Sequence, residues 1–472
     1  MMRTDSSFGG TASCLDTVAA VSTPFGKGGV ALLRLSGGEA LKIADRTFFP
    51  LSGKPLSQIG SRLAVYGNII ADGELIDDGI AVVYRAPASF TGEDTVEISC
   101  HGGVLVTARV LEALISAGAR QATAGEFTRR AFINGKMSLT KAEALGNLLD
   151  ARNAEQLKLS RGGYADKLTR DAESMYDGMC AVLSNIEAGI DFPEEDLTEM
   201  SREEIMSALD KIQHSVCRLL ETYRTGHAIA EGIPTVVCGK PNVGKSALYN
   251  KLLGRDAAIV TDIAGTTRDV LSDTVTVGKV TLRLSDTAGI RDTDDVVESI
   301  GVERARAAVK NAELVLALLD GSRPADSEDE ALVAQLTELD IPVLWVITKS
   351  DLGTNEKCSV LTLLPLEARP VFISSLTGEG IEELADRINR MYVDEELHTG
   401  EDAIVFNARQ SSALKRALCE LEEAVGLLKS GLPYDICAEG IRGAMSALAE
   451  LCGREVREDV ISEIFSKFCV GK

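Results

Sequence analysis

The segment GKPNVGKS at 239–246 combines glycines, a lysine and a serine in an order that suits phosphate binding. It follows the apolar run IPTVVC and precedes SALYNKLL, which predicts a strand, a loop and then a helix. Glycines let backbone N–H groups converge on phosphate oxygens, Lys245 can reach the β and γ phosphates, and the Ser246 hydroxyl can ligate Mg2+. The segment therefore predicts a nucleotide site in which Lys245 acts in catalysis.

Two later segments offer groups that could sense the γ-phosphate, in the order that P-loop GTPases use. TDIAGTTRD at 261–269 offers Thr267 to Mg2+ and to the γ-phosphate. DTAG at 286–289 follows the apolar run TLRLS, so Asp286 can face the water shell of Mg2+ and the Gly289 N–H can bond the γ-phosphate.

Two more segments could read the base. TKSD at 348–351 ends the apolar run IPVLWVI, and its Asp351 can accept hydrogen bonds from both N1–H and the exocyclic amine of guanine, a donor pair that adenine lacks. SSLTGEG at 374–380 offers backbone N–H groups to guanine O6. Together the segments predict GTP as the nucleotide. The residues predicted to contact it are Asn242, Val243, Gly244, Lys245, Ser246, Ala247, Thr261, Asp262, Ile263, Ala264, Gly265, Thr266, Thr267, Asp286, Thr287, Ala288, Gly289, Thr348, Lys349, Ser350, Asp351, Ser374, Ser375 and Leu376.

Two positions depart from the usual pattern. Thr348 stands where N-K-x-D begins with Asn. Its shorter side chain is expected to lose either a brace to the P-loop or a contact with guanine N7, which would weaken nucleotide affinity while Asp351 keeps the specificity. Ile290 follows DTAG, where many GTPases have the glutamine that orients water, so another group must do that work.

Composition limits the classes of function. A chain of 472 residues with 45% hydrophobic residues predicts several domains. Nearly all of the net charge of −22 lies beyond Gly135, because residues 1–135 hold 12 Lys and Arg against 13 Asp and Glu. This charge opposes direct nucleic-acid binding, so any RNA is expected to need a local basic patch or a basic partner. Scattered cysteines, no signal peptide and no long apolar run predict a cytoplasmic protein without a membrane span.

The hydrophobic pattern changes along the chain. Residues 17–120 show short β-like runs and one helical pattern at 104–118, which indicates an α+β module. Long helical patterns occupy 136–224 and 406–468, and strands alternate with helices between them, as in a doubly wound parallel α/β domain. The simplest division is an N-terminal domain 1–135, helical segments 136–228 and 396–472, and an inserted nucleotide-binding domain 229–395.

The chain resembles the MnmE (TrmE) family of tRNA-modification GTPases nearly end to end. The resemblance rests on TPFGKGGVALLRLSG, SFTGEDTVEISCHGG, GEFTRRAFINGK, GKPNVGKS, GTTRD, DTAGIR and the terminal FCVGK. It implies a folate-binding N-terminal domain that forms a homodimer, a discontinuous helical domain and an inserted G domain. It also implies that, with the flavoprotein MnmG, which would carry FAD, the chain adds an aminomethyl or carboxymethylaminomethyl group at carbon 5 of the wobble uridine of certain tRNAs.

The resemblance further implies that K+ replaces an arginine finger while two G domains associate across the nucleotide. Asn242, Thr261, Ile263 and Thr266 match the potassium-coordinating positions, and Glu298 matches the residue that positions the attacking water. From local sequence alone, Asn242 is equally a turn residue and Glu298 a solvated helix glutamate.

The same resemblance assigns a formyl-tetrahydrofolate site in the N-terminal domain. Arg34, Glu97 and Lys136 match its binding positions, Lys472 is implied to contact the same ligand, and Cys469 is implied to lie near the one-carbon group as a candidate nucleophile. Without the resemblance, the two cations at 34 and 136 are surface charges and the thiol is an exposed terminal cysteine.

Two rival functions fit the nucleotide motifs. The chain could be a GTP-dependent assembly switch, such as a ribosome-biogenesis factor, that catalyses no modification. The N-terminal module and FCVGK argue against this switch, which would have no reason to carry them. It could also bind nucleotide without hydrolysing it, but the Mg2+ set of Ser246, Thr267 and Asp286 is intact.

Overall fold

The computed structural model describes residues 16–191, 200–256, 273–284, 312–353 and 359–472. Contacts within the chain define two compact units. The first joins Met1–Gly146 to Cys452–Lys472, and the second is Asn147–Leu451. The domain boundaries predicted from the sequence stay a prediction.

The first unit contains a seven-stranded sheet. Its strands are β1 Val18–Val21, β2 Val30–Ser36, β3 Phe48–Pro50, β4 Ala64–Ala71, β5 Glu74–Tyr84, β6 Thr95–His101 and β7 Arg120–Gln121. Their order is β3-β4-β5-β6-β2-β1-β7, and only β1 and β7 pair in parallel. The predicted strands in VAAVS, GVALLRLS, GIAVVYRA and DTVEISC are confirmed.

The helices of the described residues include those predicted at 104–118, 136–224 and 406–468, and two that were not predicted, at 40–47 and 126–133. They are α1 Ala40–Thr47, α2 Val104–Ser116, α3 Glu126–Ile133, α4 Leu139–Asp150, α5 Ala154–Tyr164, α6 Lys167–Asp191, α7 Arg202–Glu221, α8 Tyr223–Ala230, α9 Lys245–Asp256, α10 Ser327–Thr337, α11 Ile381–Tyr392, α12 Ala408–Lys429, α13 Tyr434–Cys452 and α14 Glu458–Ser466. In the second unit α7 packs against both α6 and α12. None of the helices in the described residues has the length and apolar run needed to span a membrane.

Alternation along the central strands gives the first sheet one apolar and one mixed face. Leu33, Val83 and Ile98 are fully buried and pack in one cluster with residues of α1 and α2. The residues between them in sequence point to the opposite face, where Arg34 lies across from Glu97 in the register of β2 and β6. The charged pair therefore stands on the face that α1 and α2 leave uncovered.

The C-terminal tail belongs to the first unit. Val470 forms an antiparallel bridge with Ala124, and the Phe127 N–H donates to the Lys472 carbonyl at 3.1 Å. Gly471 has a φ of +97°, and a Cβ there would lie 2.1 Å from the Val21 carbonyl oxygen. Only glycine lets the tail run this close to the end of β1.

The second unit contains a six-stranded sheet. Its strands are β8 Ile233–Cys238, β9 Asp273–Val277, β10 Val280–Leu284, β11 Leu314–Asp320, β12 Val343–Thr348 and β13 Val371–Phe372, in the order β13-β12-β11-β8-β10-β9. The five predicted strands pair in parallel, whereas β9 was not predicted and pairs antiparallel to β10 at the edge. The helix predicted in SIGVERARAAVKN lies outside the described residues.

Candidate functional site

The loop between β8 and α9 has the backbone geometry of a phosphate cradle. Gly239, Asn242 and Gly244 have φ values of +156°, +60° and +105°. A Cβ on Gly239 would lie 2.8 Å from both the Leu318 carbonyl oxygen and the Val243 side chain, so glycine is required there. A Cβ on Gly244 would meet no atom closer than 3.9 Å, which leaves that side of the loop open. Backbone N–H groups in such a loop can converge on an anion.

Lys245 opens α9 with its ammonium group held at the loop. Its Nζ donates to the carbonyl oxygens of Gly239 at 2.7 Å and Lys240 at 2.8 Å. Both partners are neutral, so the positive charge is not offset by a carboxylate in this loop. Burial lowers the pKa of Lys245, because the charged form is less well solvated there. The exposed side chains of Asn242, Ser246 and Ala247 border the same loop.

Thr348 keeps its brace to the P-loop, which is one of the two contacts that its short side chain was expected to lose. Its hydroxyl donates to the Val243 carbonyl oxygen at 2.7 Å and also reaches the Leu319 carbonyl oxygen at 3.2 Å. Of the two expected losses, that of the contact with guanine N7 stays a prediction, and that of the brace to the P-loop is therefore wrong. The reason is distance: β12 lies beside β11, and β11 beside β8, so a short side chain at the end of β12 reaches the loop directly.

The base-reading segment lies at the same edge of the sheet. Lys349 has a φ of +60°, and its Nζ forms an ion pair with Asp320 at 2.7 Å. Burial alone would raise the pKa of Asp320, but its hydrogen bonds with Lys349 and Ser322 hold that pKa below the ordinary value. Asp351 follows in a short 3-10 turn and is exposed, so its carboxylate is accessible to a ligand.

The SSLTGEG loop is tied to the base-reading segment and approaches α9. The Ser350 N–H donates to the Ile373 carbonyl oxygen at 3.1 Å, next to buried Ser374. A Cβ on Gly378 would lie 3.1 Å from Cε of Lys251 on α9. Ser375 and Leu376 continue the loop, and the Leu376 side chain is exposed. The described parts of the predicted GTP site thus converge at the carboxyl ends of β8, β11 and β12, where doubly wound sheets bind ligands.

Several predicted site residues lie outside the described residues. They are Thr261, Asp262, Ile263, Ala264, Gly265, Thr266, Thr267, Asp286, Thr287, Ala288, Gly289 and Glu298. The predicted Mg2+ and K+ ligands are therefore placed only at Ser246 and Asn242, whose hydroxyl and amide oxygens are hard ligands suited to these cations.

In the first unit, two predicted folate residues bind each other. Arg34 donates from Nε and Nη2 to one oxygen of Glu97, at 2.9 and 2.7 Å. The guanidinium group also lies over the rings of Phe90 at 5.3 Å and Phe127 at 5.5 Å. The other Glu97 oxygen accepts a weaker bond from the Tyr84 hydroxyl at 3.4 Å. The side chains of Arg34 and Glu97 keep 15% and 18% exposure, so a ligand could reach the pair.

The other predicted folate residues border this cluster. Lys136 donates from Nζ to the Pro87 carbonyl oxygen at 2.9 Å, in the loop that also carries Phe90. Lys472 is bonded through its carbonyl oxygen to the N–H of Phe127. Cys469, three residues earlier, is a free and exposed thiol.

A buried arginine network supports the cluster and was not predicted. Arg130 is 2% exposed and bonds Asp16, Glu93 and Glu126 at 2.8 to 3.2 Å. Arg120 donates to the same Glu126 at 2.6 Å. Burial would raise the pKa of Glu126, but the bonds from both arginines and the Thr123 N–H hold it at about 2. The spacing of Glu126 and Arg130, one helical turn apart in GEFTRR, was the available signal.

Comparisons with known proteins cover almost the whole chain. The family description "GTP-binding protein TrmE N-terminus" matches residues 17–136, and "MnmE helical domain" matches residues 139–469. The tRNA modification GTPase MnmE of Thermotoga petrophila is 40% identical over 97% of this chain and 100% of its own length. That of Clostridioides difficile is 36% identical over 97% of this chain and 99% of its own length.

Among solved structures, the crystal structure of a variant of Aquifex aeolicus Era bound to GDP.AlF4- is 28% identical, covering 39% of this chain and 65% of that chain. Its TM-score of 0.26 is too low to carry an argument about the fold. The sequence identity with the full-length relatives and the family matches are sufficient to assign the family. This chain belongs to the MnmE (TrmE) family of tRNA modification GTPases.

Proposed function

We propose that this chain hydrolyses GTP as part of the modification of tRNA, as the names of its relatives indicate for them. The observation that carries the GTPase part is the convergence of Lys245, Thr348 and Asp351 at one edge of the six-stranded sheet. A cation for phosphates and a carboxylate for guanine are thus held by one rigid scaffold.

Each side chain has a defined task in hydrolysis. Lys245 would exchange its two carbonyl partners for the β and γ phosphates, which form stronger charge-assisted bonds. The Thr348 hydroxyl holds the Val243 carbonyl oxygen and so keeps the phosphate loop in place. Ser246 and Thr267 would hold Mg2+, which neutralises developing charge on the phosphates when bound. Glu298 would position the attacking water, since Ile290 cannot.

Potassium dependence is proposed from Asn242, whose exposed amide stands on the phosphate loop with φ at +60°. Thr261, Ile263 and Thr266 would complete the site. We expect K+ to raise GTP turnover and G-domain association together, and Na+ to raise neither. Asn242→Ala should remove most of the K+ effect while GTP still binds. Equal turnover in matched Na+ and K+ buffers, at saturating GTP and high protein concentration, would exclude the proposal.

The reaction proposed is addition of an aminomethyl or carboxymethylaminomethyl group at carbon 5 of the wobble uridine, with MnmG as partner and FAD bound to MnmG. The net charge of −22 supports a partner that supplies the attraction for tRNA. Mass analysis of wobble uridine should show the unmodified base in a strain lacking this chain. Restoration by the wild type but not by Lys245→Ala is expected. Normal modification in the deletion strain would favour the assembly switch instead.

The one-carbon donor proposed is a formyl-tetrahydrofolate at the cluster around Arg34 and Glu97. A pterin edge presents donors and acceptors that suit the carboxylate, and a glutamyl tail suits Arg34, Lys136 or Lys472. Arg34 and Glu97 bond each other through two guanidinium donors and one carboxylate oxygen, so a ligand could bind the second Glu97 oxygen, which accepts only the weaker bond from Tyr84 among the described residues.

Isothermal titration of reduced folate tests this site without GTP. Arg34→Met and Glu97→Gln should each weaken folate binding and leave GTP turnover unchanged. Cys469→Ser separates chemistry from binding: it should abolish tRNA modification and keep folate affinity if the thiol is a nucleophile. Failure of the wild-type chain to bind reduced folate under reducing conditions would exclude the folate role.

A homodimer is proposed through the mixed face of the first sheet. Tyr66 is 51% exposed and Ile80, its register partner, is 45% exposed, and both lie on the same face of the sheet as Arg34 and Glu97, which α1 and α2 leave uncovered. Ile80→Asp should lower the mass measured by light scattering from two chains to one. An unchanged mass would exclude this face. The cytoplasmic location predicted from the sequence remains a prediction.

A further inference from the structure

The β9–β10 hairpin lies, in sequence, between the two segments predicted to sense the γ-phosphate. Strand β9 begins at Asp273, six residues after Thr267, and β10 ends at Leu284, two residues before Asp286. If those two segments shift with the bound nucleotide, they would therefore pull on both the start of β9 and the end of β10, which together form the open end of the hairpin.

The hairpin has two chemically different faces. Register places Thr274, Thr276 and Thr281 on one face, since Thr276 pairs with Thr281 and Thr274 is two residues away. The opposite face is buried and apolar, with Val275, Val277, Val280, Leu282 and Leu284, and β9 contacts the helix α9 that follows the phosphate loop.

The polar face is covered by the start of α5. Nη1 of Arg152 donates to the Thr274 hydroxyl at 2.7 Å. Nδ2 of Asn153 reaches the Thr281 hydroxyl at 3.3 Å, and Nε2 of Gln156 reaches the same hydroxyl at 3.2 Å. Thr281 is only 6% exposed, so its oxygen depends on these donors rather than on water.

The three donors form one rigid group. Asn153 is the N-cap of α5 and accepts from the Gln156 N–H at 2.9 Å, while the Gln156 side-chain oxygen accepts from the Arg152 N–H at 2.8 Å. The far end of the hairpin is also held, because the Lys279 N–H donates to Oδ1 of Asn389 on α11 at 2.8 Å.

We propose that Arg152, Asn153 and Gln156 are positioning residues that couple the nucleotide-dependent placement of the β9–β10 hairpin to α5 and the helices packed with it. Hydrogen bonds are directional, and Thr281 is buried, so a hairpin that moved away from these donors would leave its hydroxyl oxygen without a partner, which is unfavourable. A shift of the hairpin is therefore expected to move the start of α5 with it, while the apolar face keeps the hairpin attached to α9. This inference rests on the proposed GTPase function.

Coupling of this kind is reciprocal, so it can be measured at α5. The full chain would be compared in GDP and in a non-hydrolysable GTP analogue, with Mg2+ and K+, by hydrogen exchange of the amides at 154–160. Nucleotide affinity would be measured by titration on the same samples. We expect exchange at α5 to differ between the two states by about fivefold or more.

Two variants break the contact from opposite sides. Thr281→Val removes the shared acceptor without changing shape, and Asn153→Ser keeps an N-cap oxygen but lacks the amide donor. Both should bind nucleotide and reduce the difference at α5 to less than about twofold. Thr337→Val on α10, whose hydroxyl donates to the Val333 carbonyl oxygen in the same helix, is the matched control and should keep the wild-type difference.

The readout is a difference between nucleotide states, which a merely structural role would not change. Equal exchange in both states of the wild type, with both nucleotides bound, would overturn the coupling alone. A wild-type difference that persists in both Thr281→Val and Asn153→Ser would overturn it as well. Absence of nucleotide binding in the titration would instead overturn the proposed GTPase function, and the coupling with it.

Discussion

Replacing Thr348 by Val isolates one contact at the nucleotide site. Valine keeps the shape of threonine but removes the hydroxyl that donates to the Val243 carbonyl oxygen at 2.7 Å. Both residues are buried, at 2% and 3% exposure, so water cannot replace the lost donor. Leaving a buried carbonyl unpaired costs about 1–3 kcal/mol. Part of this cost will lower the free energy of unfolding, since the bond exists without nucleotide.

Even the lower limit of this cost would change the affinity for GTP measurably. If about 1 kcal/mol is expressed in the phosphate loop, the Kd for GTP should rise about fivefold. Titration with a fluorescent GTP analogue measures this directly. The preference for GTP over ATP should not change, because Asp351 is untouched.

Two further substitutions at the same position sharpen the test. Thr348→Ser keeps the donor and should bind GTP as the wild type does, whereas a loss equal to that of Thr348→Val would point to the missing methyl group. Thr348→Asn restores the usual residue of the motif and should also keep the brace. A Kd for Thr348→Val within about twofold of the wild type would refute the reasoning.

Four other outcomes follow from single contacts. Lys245→Ala should abolish GTP hydrolysis and weaken nucleotide binding, and near-normal turnover would refute the site. Asp351→Asn should shift preference from GTP towards XTP in competition titrations, because the amide offers a donor where xanthine has an acceptor. Gly471→Ala should displace the C-terminal tail, since a Cβ would lie 2.1 Å from a carbonyl oxygen, and limited proteolysis should then release it faster. The lowered pKa of Glu126 stabilises the fold at pH values above the ordinary pKa of 4.5. The free energy of unfolding should therefore fall by about 3 kcal/mol as the pH is lowered from 4.5 to about 2. Glu126→Gln should flatten this pH dependence, which acid unfolding followed by hydrogen exchange would measure.

Sequence predicted the parts of the site that depend on local chemistry. Glycine at 239 and 244 and lysine at 245 suit a backbone that wraps round phosphate, so their spacing indicates the loop. The strands β8, β11 and β12 were predicted because they are nearly continuous apolar runs, typical of strands buried on both faces.

The sequence did not indicate the contacts that depend on which elements become neighbours. The brace at Thr348 was misjudged because side-chain length was considered without the distance between β12 and the phosphate loop. Arg34 and Glu97 were assigned to a ligand separately, but antiparallel register sets them opposite each other and lets them pair. The burial of Arg130 was not predicted, because a buried arginine needs ion pairs, and Asp16 and Glu93, which form them, lie in distant segments of the sequence.

The hairpin shows why such partners stay hidden in a sequence. DTVTVGKVTLRL alternates threonine with valine or leucine, which is the pattern of a strand with one solvated face. That reading predicts an exposed Thr281, yet the residue is 6% exposed beneath Asn153 and Gln156. Thr281 therefore forms buried hydrogen bonds with Asn153 and Gln156 instead of facing solvent. A buried polar face stays favourable only while its donors are present, so the contact registers whether α5 and the hairpin are aligned.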